Sequence, residues 1–76
     1  MEGLGSGNRR RVRIRLNGAD QETGAETVAQ LLEELHLPRQ TVLVERNGEA
    51  LGREAWNTEK LQDGDQIEVL RVAAGG

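Results

Sequence analysis

The sequence closes on Ala73-Ala74-Gly75-Gly76, and this is where its residue types offer the clearest chemistry. A terminal residue without a Cβ lets an extended backbone pass through a narrow channel and offers an unhindered carboxylate to another protein's active site. A carboxylate is a poor electrophile, so such an end has to be activated from outside. Since the sequence stops at Gly76, no processing step is expected before that use. The competing account is a frayed tail with no task.

The other candidates are weaker. Glu33 and His36 stand at i and i+3, the spacing of a Glu-x-x-His metal half-site, but such sites draw further ligands from other helices and only one helix is expected here. No metal site is expected, and His36 is assigned to the last helical turn, where its ring can meet free carbonyls. Ser6 is the only serine and has no base near it in sequence. There is no cysteine, which removes thiolate metal sites, disulfides and a thiol nucleophile together. Gly3, Gly5 and Gly7 are not a phosphate cradle, because no strand precedes them and no helix follows. The chain is therefore expected not to be an enzyme and to bind no cofactor of its own.

Five of the ten basic residues fall between Arg9 and Arg15. Arg13 and Arg15 share the face opposite Val12, Ile14 and Leu16, as a nucleic-acid patch would. The formal net charge of −3 and the lack of a stacking aromatic on that strand argue against nucleic acid, so a solvated sheet face, or part of a partner-docking surface, is expected. Seventy-six residues make one small domain, and with a single aromatic residue its core must be built from Val, Leu and Ile. A core that thin leaves little room for an enclosed small-molecule pocket. No stretch approaches the length of a membrane span and Met1 to Asn8 lacks the apolar run of a secretion signal, so a cytoplasmic chain without membrane contacts is expected.

These groups need a scaffold, and the pattern of the chain describes one. The glycine-rich start reads as a flexible arm over 1–11. Val12, Ile14 and Leu16 alternate with arginines as a strand, Asn17-Gly18 supplies a tight hairpin turn, and Ala19 to Thr23 returns as a polar edge strand. Thr27 caps a helix, with Gln30 reaching back in a capping box, and Val28, Leu31, Leu32 and Leu35 form its apolar stripe until Pro38 stops it. Thr41 to Arg46 and Glu49 to Leu51 form a second hairpin about Asn47-Gly48. Arg53 to Lys60 reads as a packed loop with a helical turn, in which Trp56 lids the core. After the turn Asp63-Gly64-Asp65, the last strand runs to Val72.

Hairpin, helix, hairpin, loop and strand make an α+β chain of the β-grasp type, a mixed sheet of four to five strands packed on one main helix. The domain covers 12–72, with 73–76 as a flexible tail leaving from the middle of the sheet. Alternation turns Leu43, Leu70 and Val72 away from the helix-covered side, which makes them candidates for docking a partner beside the tail.

The motifs Leu16-Asn17-Gly18, Thr27-Val28-Ala29-Gln30-Leu31-Leu32-Glu33-Glu34-Leu35, Val44-Glu45-Arg46-Asn47-Gly48, Leu61-Gln62-Asp63-Gly64-Asp65-Gln66-Ile67-Glu68-Val69 and Gly75-Gly76 occur in the order and spacing of a known family. In them the chain resembles the ubiquitin-like sulfur carriers of thiamine biosynthesis, the ThiS family, from about Val12 to Gly76. The resemblance implies that Gly76 is adenylated by an E1-like partner using ATP and converted to a thiocarboxylate. It implies that Gly75, Ala74 and Ala73 thread into that partner, that a sulfur donor protein loads the carrier, and that a thiazole synthase unloads it. The arm with Arg9-Arg10-Arg11 is longer than is usual in the family, and Leu51-Gly52 stands where an apolar residue and a proline are common. Two related roles share the fold and the diglycine: the sulfur carriers of molybdopterin synthesis, and protein modifiers joined to lysines. Arg71-Val72-Ala73-Ala74 lacks the phenylalanine or proline motif common in the molybdopterin carriers, which favours thiamine. A non-covalent interaction module is the remaining alternative.

Overall fold

The computed structural model describes residues 11–72. Its elements are β1 (Val12–Leu16), β2 (Ala19–Thr23), α1 (Val28–Glu34), a 3-10 turn (Arg39–Thr41), β3 (Val42–Arg46), β4 (Glu49–Leu51), a second 3-10 turn (Arg53–Ala55) and β5 (Gln66–Arg71). The sheet order is β2-β1-β5-β3-β4, with β1 and β5 parallel and every other pair antiparallel. This is the ubiquitin-like β-grasp expected from the sequence, and it places β5 at the centre.

Both hairpins turn on Asn-Gly for the anticipated reason. Asn17 and Gly18 have φ of 51° and 86°, and Asn47 and Gly48 have 53° and 86°, the doubly left-handed pair that matches the twist of the flanking strands. β2 is the polar edge strand the sequence describes, with only Thr23 fully buried. One sheet face packs on the helix: Val12, Ile14, Val42, Val44 and Ile67 meet Val28, Ala29, Leu31 and Leu32 in a single core.

Three local details differ from the sequence reading. Thr27 Oγ1 does accept the Gln30 amide at 3.3 Å, but the Gln30 side chain accepts from the Glu26 amide at 2.8 Å, one residue before the cap. The helix ends at Glu34, ahead of Pro38. His36 stops it by taking φ of +58°; its amide donates to the Glu33 carbonyl at 3.1 Å and the Leu37 amide to that of Leu32 at 2.9 Å. This is a Schellman closure, so His36 contributes through its backbone conformation. A Cβ disfavours that conformation. His36→Gly is therefore expected to stabilise the domain by about 0.5–1 kcal/mol, raising the midpoint of thermal unfolding by a few degrees.

Trp56 is the third difference. It is 1% exposed and belongs to the core itself, donating from Nε1 to the Leu51 carbonyl at 3.0 Å. The guanidinium groups of Arg39 and Arg53 lie over its ring, at 5.8 and 5.6 Å from the centroid. Arg53 also donates to the carbonyls of Gln40 and Val42, so one side chain covers the tryptophan and satisfies the edge of β3 where β4 is too short to reach it.

The entry to β5 is fixed by a polar cluster. Asp65, almost fully buried, accepts from Arg46 Nε at 3.1 Å and Nη2 at 3.0 Å, from Asn47 Nδ2 at 3.1 Å and from the Gln62 amide at 2.9 Å. Arg46 also bonds Glu59 Oε1 and the Lys60 carbonyl, both at 3.1 Å. The Val-Glu-Arg-Asn-Gly and Asp-Gly-Asp motifs thus meet in space to set the start of the central strand. Among the described residues, no helix is long and apolar enough to cross a membrane.

Candidate functional site

The face of the sheet not covered by α1 carries Arg13 and Arg15 of β1, Asp20 and Glu22 of β2, Gln66, Glu68 and Leu70 of β5, and Leu43 and Glu45 of β3. This assignment follows from the register, because each of these residues alternates with one in the core. Across it the chemistry changes in bands. At the β1–β2 edge Arg13 pairs with Glu22 at 3.5 Å and Arg15 with Asp20 at 3.8 Å. The arginines whose spacing evoked a nucleic-acid patch are thus part of a charge-compensated, solvated face.

At the other side lies the apolar band. Leu43 and Leu70 are direct cross-strand partners, 53% and 45% exposed, and Val72 follows at 46%. These are the three large hydrophobic residues that the described chain leaves in water. Cross-strand packing holds the two leucines as one ridge. A groove lined by Leu43, Leu70, Glu45, Ala50, Arg53 and Glu54 runs beside it, towards the short edge strand β4. Between the bands, Glu45 and Glu68 face each other on adjacent strands.

The C-terminal end of β5 is held from both sides. On one, the Val72 amide donates to the Thr41 carbonyl at 2.8 Å, which continues the ladder with β3 past the end of the strand. On the other, β1 has already turned away, and the Asn17 side chain takes its place: Oδ1 accepts the Val69 amide at 2.8 Å and Nδ2 donates to the Val69 carbonyl at 3.4 Å. Asn17 therefore has two tasks, forming the first turn and pairing the strand that leads to the chain end. The residues singled out at that end, Ala73, Ala74, Gly75 and Gly76, and those of the arm up to Arg10, lie outside the described residues. Arg11 is exposed and precedes β1.

Among the described residues, no group of three or more His, Cys, Asp and Glu side chains is placed to hold a metal. Glu33 lies exposed on α1 and His36 is spent on closing the helix. The sequence reading did not find the Glu45–Glu68 pairing. Each is one unremarkable charge in its own strand, and only the pairing of β3 with β5 brings them together.

Three comparisons bear on this geometry. The family model described as the ThiS family matches residues 13–76. The sulfur carrier protein ThiS of Bacillus subtilis is 37% identical over 67 residues, covering 83% of this chain and 98% of that protein. The sulfur carrier protein ThiS of Escherichia coli is 38% identical over 58 residues, covering 76% and 88%. Among solved structures, the crystal structure of the thiamine biosynthesis protein ThiS from Geobacter metallireducens superposes with a TM-score of 0.72 at 38% identity, covering 86% of this chain and all of that one. The solution structure of a thiamine biosynthesis protein from the same organism gives 0.69 at the same identity.

Proposed function

The chain belongs to the ThiS family, and on that premise we propose that it is a sulfur carrier for thiamine biosynthesis whose working group is the Gly76 carboxylate. The observation that carries this reading is the position of β5. It is the central strand, bonded on one side through Val72 and on the other through Val69, its C-terminal end carries the exposed Leu70 and Val72, and the sequence reaches Gly76 four residues after Val72. A scaffold fixed to that point and ending in residues with small or no side chains suits a group that other proteins load and unload.

The chemistry balances without a catalytic residue on this chain. A carboxylate oxygen of Gly76 attacks the α-phosphate of ATP in the active site of an E1-like adenylating partner, releasing pyrophosphate and leaving a mixed anhydride. Sulfur at the sulfide level, delivered by a donor protein, then forms a bond to the terminal carbonyl carbon as the bond to AMP breaks. The resulting thiocarboxylate is the better nucleophile, and it is the form passed to a thiazole synthase. Ala73, Ala74 and Gly75 form the segment threaded into each partner, and Leu43, Leu70 and Val72 form the surface on which partners dock.

Incubation with ATP, the adenylating enzyme and a sulfide source should add to the C-terminal peptide the mass of one oxygen-for-sulfur exchange, read by intact mass and fragmentation at Gly76. A peptide of unchanged mass would refute the carrier. Ladders of larger conjugates in cell extract would move the chain to the protein modifiers.

A further inference from the structure

Among the described residues, the open face carries a charge arrangement without an ion-pair partner. Glu45 and Glu68 are direct cross-strand partners, and like charges in that relation destabilise a sheet. Among the described residues neither carboxylate takes part in an ion pair, and the two arginines of β1 on that face, Arg13 and Arg15, are engaged by Glu22 and Asp20. The next pair on the same face of these two strands is Leu43 with Leu70. An apolar ridge therefore abuts a pair of carboxylates that repel each other in the free chain.

Resting on the carrier reading above, we infer that this rung is a recognition site for a cation of the adenylating enzyme. An arginine of the partner bridges Glu45 and Glu68 while an apolar surface covers Leu43, Leu70 and Val72. Reach supports the location. Four extended residues span at most about 14 Å, so an enzyme acting on Gly76 has to stand against the end of β5. The Glu45–Glu68 rung lies about 7 Å back along the strands from the leucine rung. A standard interface covers roughly 800 Å² per partner, a patch about 30 Å across, so a body seated on the leucines also covers the carboxylates. Covering them with an apolar or acidic surface would bury two like charges without a partner; a guanidinium donates to both and offsets their repulsion. The two rungs then divide the work: the leucines supply buried apolar area, and the glutamates supply charge steering and discrimination against acidic surfaces.

The test is ATP–pyrophosphate exchange with the source organism's adenylating enzyme, titrated with the full chain. For Glu45→Gln/Glu68→Gln the KM for the carrier should rise about ten-fold with kcat unchanged, and the dependence of kcat/KM on salt should flatten. Thermal stability should stay level or rise, since a repulsion is removed. Glu33→Gln/Glu49→Gln, which removes the same charge from exposed positions elsewhere, should leave KM within two-fold. An unchanged KM and salt slope in the first variant, or an equal rise in both variants, overturns the inference while leaving the carrier reading intact. Absence of exchange with the unaltered chain overturns both.

Discussion

Removal of Gly76 is expected to reduce adenylation by the activating enzyme at least about 10³-fold while leaving the melting temperature unchanged. The truncated chain still ends in a glycine carboxylate, that of Gly75, so the chemical group survives. What changes is its position. One residue fewer withdraws the carboxylate by about 3.5 Å, and a misplacement of 1 Å at a reacting centre already costs about 10²-fold. The tail cannot regain that length from the strand, because β5 is held by the Val72–Thr41 bond on one side and by the Asn17 side chain on the other. Stability should not respond, since the described core and sheet are complete by Val72. The readouts are pyrophosphate exchange in vitro and growth without thiamine in a strain lacking its own carrier. Growth supported by the truncated chain would remove the terminal carboxylate from the account. Gly76→Ala probes the same point more finely: the carboxylate keeps its distance and gains a Cβ beside it, so impaired exchange with an unchanged fold is expected there too.

Much of the scaffold was legible because its signals are local. Period-two alternation in Val12, Ile14 and Leu16, the two Asn-Gly turns, and the stripe Val28, Leu31 and Leu32 each join residues close in sequence, and the strand, turns and helix form over the residues that carry those patterns. The end of α1 is not legible in this way, because Pro38 is a conspicuous stop, whereas a histidine at a positive φ carries no local mark. The site divides in the same way. Alternation alone turned Leu43, Leu70 and Val72 outward, and the structure leaves them in water. The opposition of Glu45 to Glu68 and the convergence of Arg46 on Asp65 join residues 23 and 19 apart in sequence, so they exist only once β3 and β5 are paired. One sign of the second was available: Arg46 falls on the core-facing parity of Val42 and Val44, where a charge needs a buried partner.

That parity leads to the largest effect on stability. Asp65→Ala is expected to destabilise the domain by about 3–5 kcal/mol, the range found when one member of a buried ion pair is removed. The loss exceeds that of one contact because the Asp65 carboxylate serves four donors at once, two on Arg46 and one each on Asn47 and the Gln62 backbone. Alanine leaves the Arg46 guanidinium, 17% exposed as a side chain, with Glu59 as its one remaining anion among the described residues. Glu59 is half exposed and at the rim, where a pair contributes little. A domain of this size is stable by only about 4–11 kcal/mol in all, so the variant should be partly unfolded near physiological temperature. Arg46→Met separates the causes: it removes the charge but keeps an unbranched chain on the core side, leaving Asp65 with Asn47 and the Gln62 amide. Its loss should be smaller than that of Asp65→Ala, and the double variant should lose less than the sum of the two. Chemical denaturation of the three chains measures this directly. Additive losses would mean that Arg46 and Asp65 stabilise the entry to β5 independently, and that the Val-Glu-Arg-Asn-Gly and Asp-Gly-Asp motifs meet there without energetic coupling.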